Sequence, residues 1–163
     1  MLIALLVVAA GLAGLGIAVR LYMSRDAEMA LQPGERVVLR ELRDPLPGNS
    51  FLACPPSYCA ATAAPSPVFN MNSEQLAEAM RRVLAEETEI FPVETAPGTR
   101  RLTLIQRTPL LRFPDIVTIE FIGLGADRSS LAIYSRSRYG KGDFGTNRKR
   151  VLRWLDRLRV IAG

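Results

Sequence analysis

The sequence predicts an α+β protein: an N-terminal transmembrane helix followed by a small domain with a four-stranded antiparallel sheet and two helices packed on one face. Three observations predict it. An uncharged apolar run opens the chain, a helical period precedes four stretches of strand character, and a second helical period closes the chain. With 163 residues and 23% charged side chains, there is room for one folded domain plus an appendage, and the composition is that of a globular protein.

The anchor comes first. Met1 to Val19 carries no charged side chain, and as a helix it would cover about 28 Å, close to the hydrocarbon thickness of a bilayer. Arg20 can snorkel and Tyr22 suits a headgroup interface, so the span is placed at residues 1–23. A cleaved signal peptide would need a basic n-region, a shorter apolar core and a small-residue cleavage site, none of which is present. The small residues Ala10, Gly14 and Ala18 recur every four positions, a spacing that admits another membrane helix at close range.

Two rules disagree about orientation. Arg20, Arg25, Arg36, Arg40 and Arg43 follow the helix, which by the positive-inside rule keeps the domain in the cytoplasm; acidic Asp26, Glu28, Glu35, Glu41 and Asp44 are interleaved with them but weigh little. Cys54 and Cys59 point the other way. They bracket the turn-rich Pro55-Pro56-Ser57-Tyr58, and a disulfide closing so small a loop is worth roughly 2 kcal/mol and persists only in an oxidising compartment. The balance favours the exported side: a single pass through a bacterial inner membrane with a periplasmic domain.

Residues 24–67 are punctuated by Pro33, Pro45, Pro47, Pro55, Pro56, Pro65 and Pro67 and read as an irregular tether and wrapping segment, with only Arg36 to Leu42 showing alternation. The domain proper is placed at 68–163. Its first helix is capped by Asn72 or Ser73, with Gln75 in position for a capping box and Met71 for a staple onto Leu76; Leu76, Met80, Val83 and Leu84 form one stripe. Strand character follows at Ile90 to Thr95, Arg101 to Arg107, Ile116 to Ile122 and Ser130 to Arg138, separated by turn signals at Pro97-Gly98, Pro109 to Pro114 and Gly123 to Asp127. In the third, Val117, Ile119 and Phe121 oppose Ile116, Thr118, Glu120 and Ile122. The last helix runs from Thr146 or Asn147 to about Val160 on a stripe of Val151, Trp154, Leu155 and Leu158.

Composition excludes several chemistries. With no histidine, His-dependent triads and His-containing zinc sites are ruled out, and two cysteines alone cannot hold a structural zinc. Asp115 and Asp143 are the only pair of carboxylates singled out for general acid/base work, and nothing in the sequence brings them together, so no catalytic residue, metal or cofactor is assigned. The net charge of +5 comes almost wholly from arginine, and the aromatics do not form a stacking pattern, so nucleic acid is not expected as a partner.

The most distinctive stretch joins the last strand, a glycine-rich turn and the last helix: Ser135-Arg136-Ser137-Arg138-Tyr139-Gly140-Lys141-Gly142-Asp143-Phe144-Gly145-Thr146-Asn147-Arg148. Two readings stand side by side. In the structural one, Gly140, Gly142 and Gly145 permit positive φ, Asp143 suits the helix dipole and pairs with Arg136, Arg138 or Arg148, and Asn147 caps the helix or satisfies loop amides. In the binding one, the same turn offers backbone N–H groups and a positive dipole end beside Arg136, Arg138, Lys141, Arg148, Lys149 and Arg150, a setting for a phosphate or carboxylate. An anionic lipid headgroup is the natural ligand near a bilayer. The literal G-x-G-x-x-G from Gly140 to Gly145 follows an antiparallel strand late in the chain and is not a dinucleotide fingerprint.

This stretch resembles the signature of the DUF1499 family, approximately Ser-x-Ser-Arg-x-Gly-x-x-Asp-x-Gly-x-Asn-Arg. Gln106-Arg107-Thr108, Arg112-Phe113-Pro114-Asp115 and the Cys54 to Cys59 segment also look like counterparts of family features, which adds Arg107, Arg112 and Asp115 to the candidate residues. The resemblance covers most of the chain after the anchor. It implies a family of bacterial and plastid proteins without an established activity, many of which look exported or membrane-anchored. The functional expectation is a non-catalytic accessory or structural component of a membrane complex, meeting the membrane, other membrane proteins and anionic lipid; the alternative is a binding module for an anionic lipid or small molecule at residues 136–150.

Overall fold

A computed structural model describes residues 2–25, 30–94 and 100–162. Asp26, Glu28, Thr95 and the Pro97-Gly98 turn lie outside the described residues. The apolar run forms helix α1, Leu2–Met23, in which Leu5–Met23 is 19 residues long and apolar enough to cross a membrane; none of that stretch is buried against the domain.

After α1 the chain makes a short 3-10 helix, Leu39–Glu41, then β1 (Ser50–Cys54), β2 (Ala64–Pro65), α2 (Ser73–Ala85), β3 (Ile90–Glu94), β4 (Arg101–Arg107), β5 (Pro114–Gly123), β6 (Ser129–Ser137) and α3 (Thr146–Ala162). The strands form one sheet in the order β2-β1-β6-β5-β4-β3, antiparallel except for the parallel pair β1 and β2. The sheet therefore has six strands, not the four expected. The two additional strands come from the proline-rich segment. β1 is covered on both sides, so Leu52, Ala53 and Cys54 are all buried and leave no polar alternation to read, while β2 is two residues long and contains a proline.

Both large helices lie on one face of the sheet. The stripe Leu76, Met80, Val83 and Leu84 of α2 and Val151, Trp154, Leu155 and Leu158 of α3 share a core with Leu104, Val117, Ile119, Leu131 and Ile133. Burying one such side chain fully contributes about 1.5 to 3 kcal/mol. Asn72 is the cap of α2: its Oδ1 accepts from the amides of Glu74 and Gln75, and Gln75 Oε1 accepts from the Asn72 amide, closing the capping box.

The opposite face carries a second cluster, in which Leu39 from the 3-10 helix packs, fully buried, with Leu52, Cys54, Ala61, Ala132 and Tyr134. The segment leading from α1 thus covers the back of the sheet. Cys54 and Cys59 form the disulfide, at the end of β1.

Candidate functional site

β6 divides the motif between the two faces, because successive side chains of a strand point to opposite sides. Ser135 and Ser137 face α3, and Arg136 and Arg138 face the segment that leads from α1. The strand's period of two thus separates arginines from the turn they adjoin in sequence.

On the helix face, Arg150 is the centre of a buried polar cluster. Its Nη2 donates to Asp115 Oδ2 at 2.6 Å, and its Nη1 donates to Asn147 Oδ1 at 2.7 Å and to Ser135 Oγ at 2.9 Å. Ser135 Oγ donates to Asn147 Oδ1 at 2.6 Å, while Asn147 Nδ2 donates to the Asn49 carbonyl at 2.9 Å and to Ser137 Oγ at 3.1 Å. Asn49 Nδ2 in turn donates to the Gly140 carbonyl at 2.8 Å, which ties the start of β1 to the glycine-rich turn. The Arg150 and Asp115 side chains are 5% and 2% exposed, so each charge has exchanged water for the other and for neutral donors and acceptors. Such a cluster fixes α3 on the sheet in one register.

The turn itself is closed by Asp143. Its Oδ1 accepts from the Gly145 amide at 3.0 Å and its Oδ2 from the Asn147 amide at 2.7 Å, so a carboxylate of the chain already occupies one amide of the turn and one of the first turn of α3. Burial alone would raise the Asp143 carboxyl, but these amide hydrogen bonds outweigh it and hold it below its ordinary value. Gly140 and Gly145 do take positive φ, at 83° and 76°. Gly142 does not; Phe144 is the other left-handed residue of the turn, at 52°, and its ring is fully exposed.

On the back face, Arg138 makes a bidentate pair with Glu35, Nε to Oε1 and Nη2 to Oε2, both at 2.7 Å, and Nη2 also donates to the Ala30 carbonyl. Arg136 donates to the Glu35 carbonyl and lies 5.9 Å from the Tyr134 ring centre. Among the described residues the hydrogen bonds of the Asp143 carboxylate come from the amides of Gly145 and Asn147, and those of Arg136 and Arg138 go to the leading segment, so no pairing of Asp143 with these arginines is found there. Arg148 is exposed and stands 5.9 Å from the Phe51 ring.

The upstream candidates also separate. Asp115 joins the buried cluster. Arg107, buried on the back face, donates to the Arg25 carbonyl at 3.1 Å and stacks 5.4 Å from the Phe91 ring. Arg112, in the loop between β4 and β5, pairs with Glu89 at 2.6 Å. That loop and the glycine-rich turn enclose a cleft of about 320 Å³, lined by Thr108, Phe113, Asp115, Tyr139, Asp143 and Phe144. A second cleft of about 350 Å³ lies beside it, lined by Glu87, Gln106, Arg107, Lys149, Arg150 and Arg153. Its Glu87 is desolvated, which raises its carboxyl, yet hydrogen bonds from Arg153 and Gln106 bring it below its ordinary value. Among the described residues no group of three or more His, Cys, Asp or Glu side chains is arranged to hold a metal.

Sequence reasoning did not find Asn49 or the carboxylate of Glu35 as members of these networks. Asn49 sits in Pro47-Gly48-Asn49-Ser50, which reads as a turn, and the acceptors of its side chain are 88 and 91 positions away.

Fold and site together define a six-stranded α+β domain with an apolar N-terminal helix, its last helix held by a buried Arg-Asp-Asn cluster. The family described as "Protein of unknown function (DUF1499)" matches residues 44–158, and the chain belongs to it. No curated protein and no solved structure matches the chain. Asp115, Asn147 and Arg150 fall within the matched residues, whereas Arg20 and Glu35 precede them.

Proposed function

We propose that this protein is a single-pass component of a bacterial inner membrane, with its domain on the periplasmic side, and that it serves as a non-catalytic accessory or structural part of a membrane complex. One observation carries the reading: Arg136, Arg138 and Asp143 of the motif, and Arg150 just after it, are turned onto the chain itself. Arg150 is engaged by Asp115, Arg138 by Glu35 and Asp143 by amides of the turn and of α3, so the motif builds a surface rather than a reaction centre. The Cys54–Cys59 disulfide supports an oxidising compartment. The length and apolarity of α1 support a membrane segment, and the bonds from Arg20 at its end to the domain support a retained anchor over a signal sequence.

The alternative, a binding module for an anionic lipid or small molecule at residues 136–150, draws on the exposed Lys141, Arg148 and Lys149 around the turn. It is weakened by Asp143, whose carboxylate holds the amides an anion would use.

Purification of the intact protein from native membranes in a mild detergent tests the choice. A stoichiometric protein companion is the expected result. Retained anionic lipid with no companion would overturn the accessory role in favour of the alternative. Release of the protein by alkaline carbonate would remove the anchor from both.

A further inference from the structure

The contact between α1 and the domain has a direction. Arg20 Nη1 donates to the carbonyls of Pro109 and Leu110, at 2.9 and 2.6 Å, so the tip of the β4–β5 loop is fastened to the side of α1 and not to its end. Arg20 lies three residues before Met23, about 5 Å back along the axis, and helical side chains lean toward the N-terminus. The loop tip is therefore drawn down alongside the last turn of the apolar span.

The loop is built to hold that position. The Thr108 amide donates to the Phe113 carbonyl, the Arg112 amide to the Thr108 carbonyl, and the Phe113 amide to Thr108 Oγ1, each at 3.0 Å, and Arg112 is tied to Glu89. At the tip of this closed loop Leu110 is 79% exposed. The level is marked by groups suited to a headgroup layer: Arg25 stands 4.7 Å from the ring centre of Tyr22, an aromatic and basic pair at the helix end. Phe113, at the base of the loop, and the fully exposed Phe144 both line the 320 Å³ cleft beside it.

We infer that the β4–β5 loop is a second membrane contact, with Leu110 seated at the boundary between headgroups and acyl chains beside α1. The inference rests on the reading of α1 as a membrane span. Its occupant is the lipid surface, because the backbone of Leu110 is bonded to the very helix that enters the bilayer, while its side chain has no cover from the domain. The consequence is a fixed posture: the sheet stands with its β4–β5 end at the membrane and its β5–β6 turn away from it, about 30 Å along β5.

The test uses the full chain in phosphatidylethanolamine and phosphatidylglycerol vesicles containing lipids spin-labelled near the top of the acyl chain. Leu110→Cys and, as the distal comparison, Leu124→Cys are each labelled with an environment-sensitive fluorophore. Both positions are exposed, and the two native cysteines are paired, so each variant keeps its packing and offers one free thiol. The expected result is quenching at position 110 at least about twofold stronger than at position 124, with a blue-shifted emission, as for a side chain immersed at the acyl boundary. Vesicle flotation of the same samples separates the two ideas. Protein that floats with the vesicles but is quenched equally at both positions overturns the loop contact and leaves the anchor standing. Protein that does not float overturns both.

Discussion

The two faces of the sheet are held by different means. The helix face is a conventional core of α2, α3 and four strands, into which one ionic cluster, Arg150 with Asp115, Asn147 and Ser135, has been taken whole. The back face is covered by irregular chain, fastened by Leu39, the Cys54–Cys59 bridge, Arg136 of β6 and Arg138 just after it. β6 supplies both: its hydroxyls serve one side and its guanidiniums the other. The components of the ionic cluster all fall within the residues matched to the family, whereas Leu39 and Glu35 precede them. The first face secures the domain, and the second joins that domain to α1.

If that division is right, the largest loss comes from breaking the helix face. Asp115→Ala leaves the Arg150 guanidinium buried without its counter-charge and is expected to cost about 3 to 5 kcal/mol, read from urea unfolding. A loss below about 1 kcal/mol would show that the cluster does not hold α3. On the back face, Leu39→Ala removes a fully buried side chain and is expected to cost about 3 kcal/mol in the same assay. A negligible change would mean that the leading segment lies on the sheet without stabilising it.

A smaller effect is expected from the disulfide. Replacing Cys54 and Cys59 together by serine should lower stability by about 2 kcal/mol, and reductant should bring the native protein to the same unfolding midpoint. Smallest is the turn between the faces. Asp143→Ala removes the carboxylate that binds two amides of the turn and helix start, a loss of about 1 kcal/mol by analogy with helix caps. Its carboxyl is lowered on folding, so its contribution is present in full above the ordinary value near 3.8 and is lost as pH falls through the lower folded value. Thermal unfolding of the native and Asp143→Ala proteins should therefore differ near neutral pH and converge in acid. A difference that persists undiminished in acid would detach it from that carboxylate.

What was legible in the sequence follows from what is periodic. α1 announces itself by the absence of charge, and α2 and α3 by stripes that the fold buries as read. The alternation of Val117, Ile119 and Phe121 against Ile116, Thr118 and Glu120 likewise separates the two faces of β5, though which of them meets the helices is decided only by the fold. β1 was hidden because it is buried on both sides among prolines, and its identity as a strand depends on pairing with β6, some eighty positions on. The motif was legible as a unit but not in its division: one line of text places Arg138 near Asp143, while the strand turns the arginine away before the chain reaches the aspartate. Partners such as Glu35 and Asn49 carry no local signal at all, since only the folded sheet brings them to β6.

The rims of the sheet limit what the domain can do with a neighbour. One rim is β3, where Pro92 lacks an N–H and the pairing with β4 slips between Pro92 and Glu94; the other is the two-residue β2, ending in Pro65, with the three residues Ser50 to Leu52 of β1 that precede its pairing. Among the described residues neither presents a long, regular ladder for a foreign strand to continue. Crowded copies are thus kept from zipping into ribbons along these rims, and a companion meeting them recognises side chains rather than the backbone.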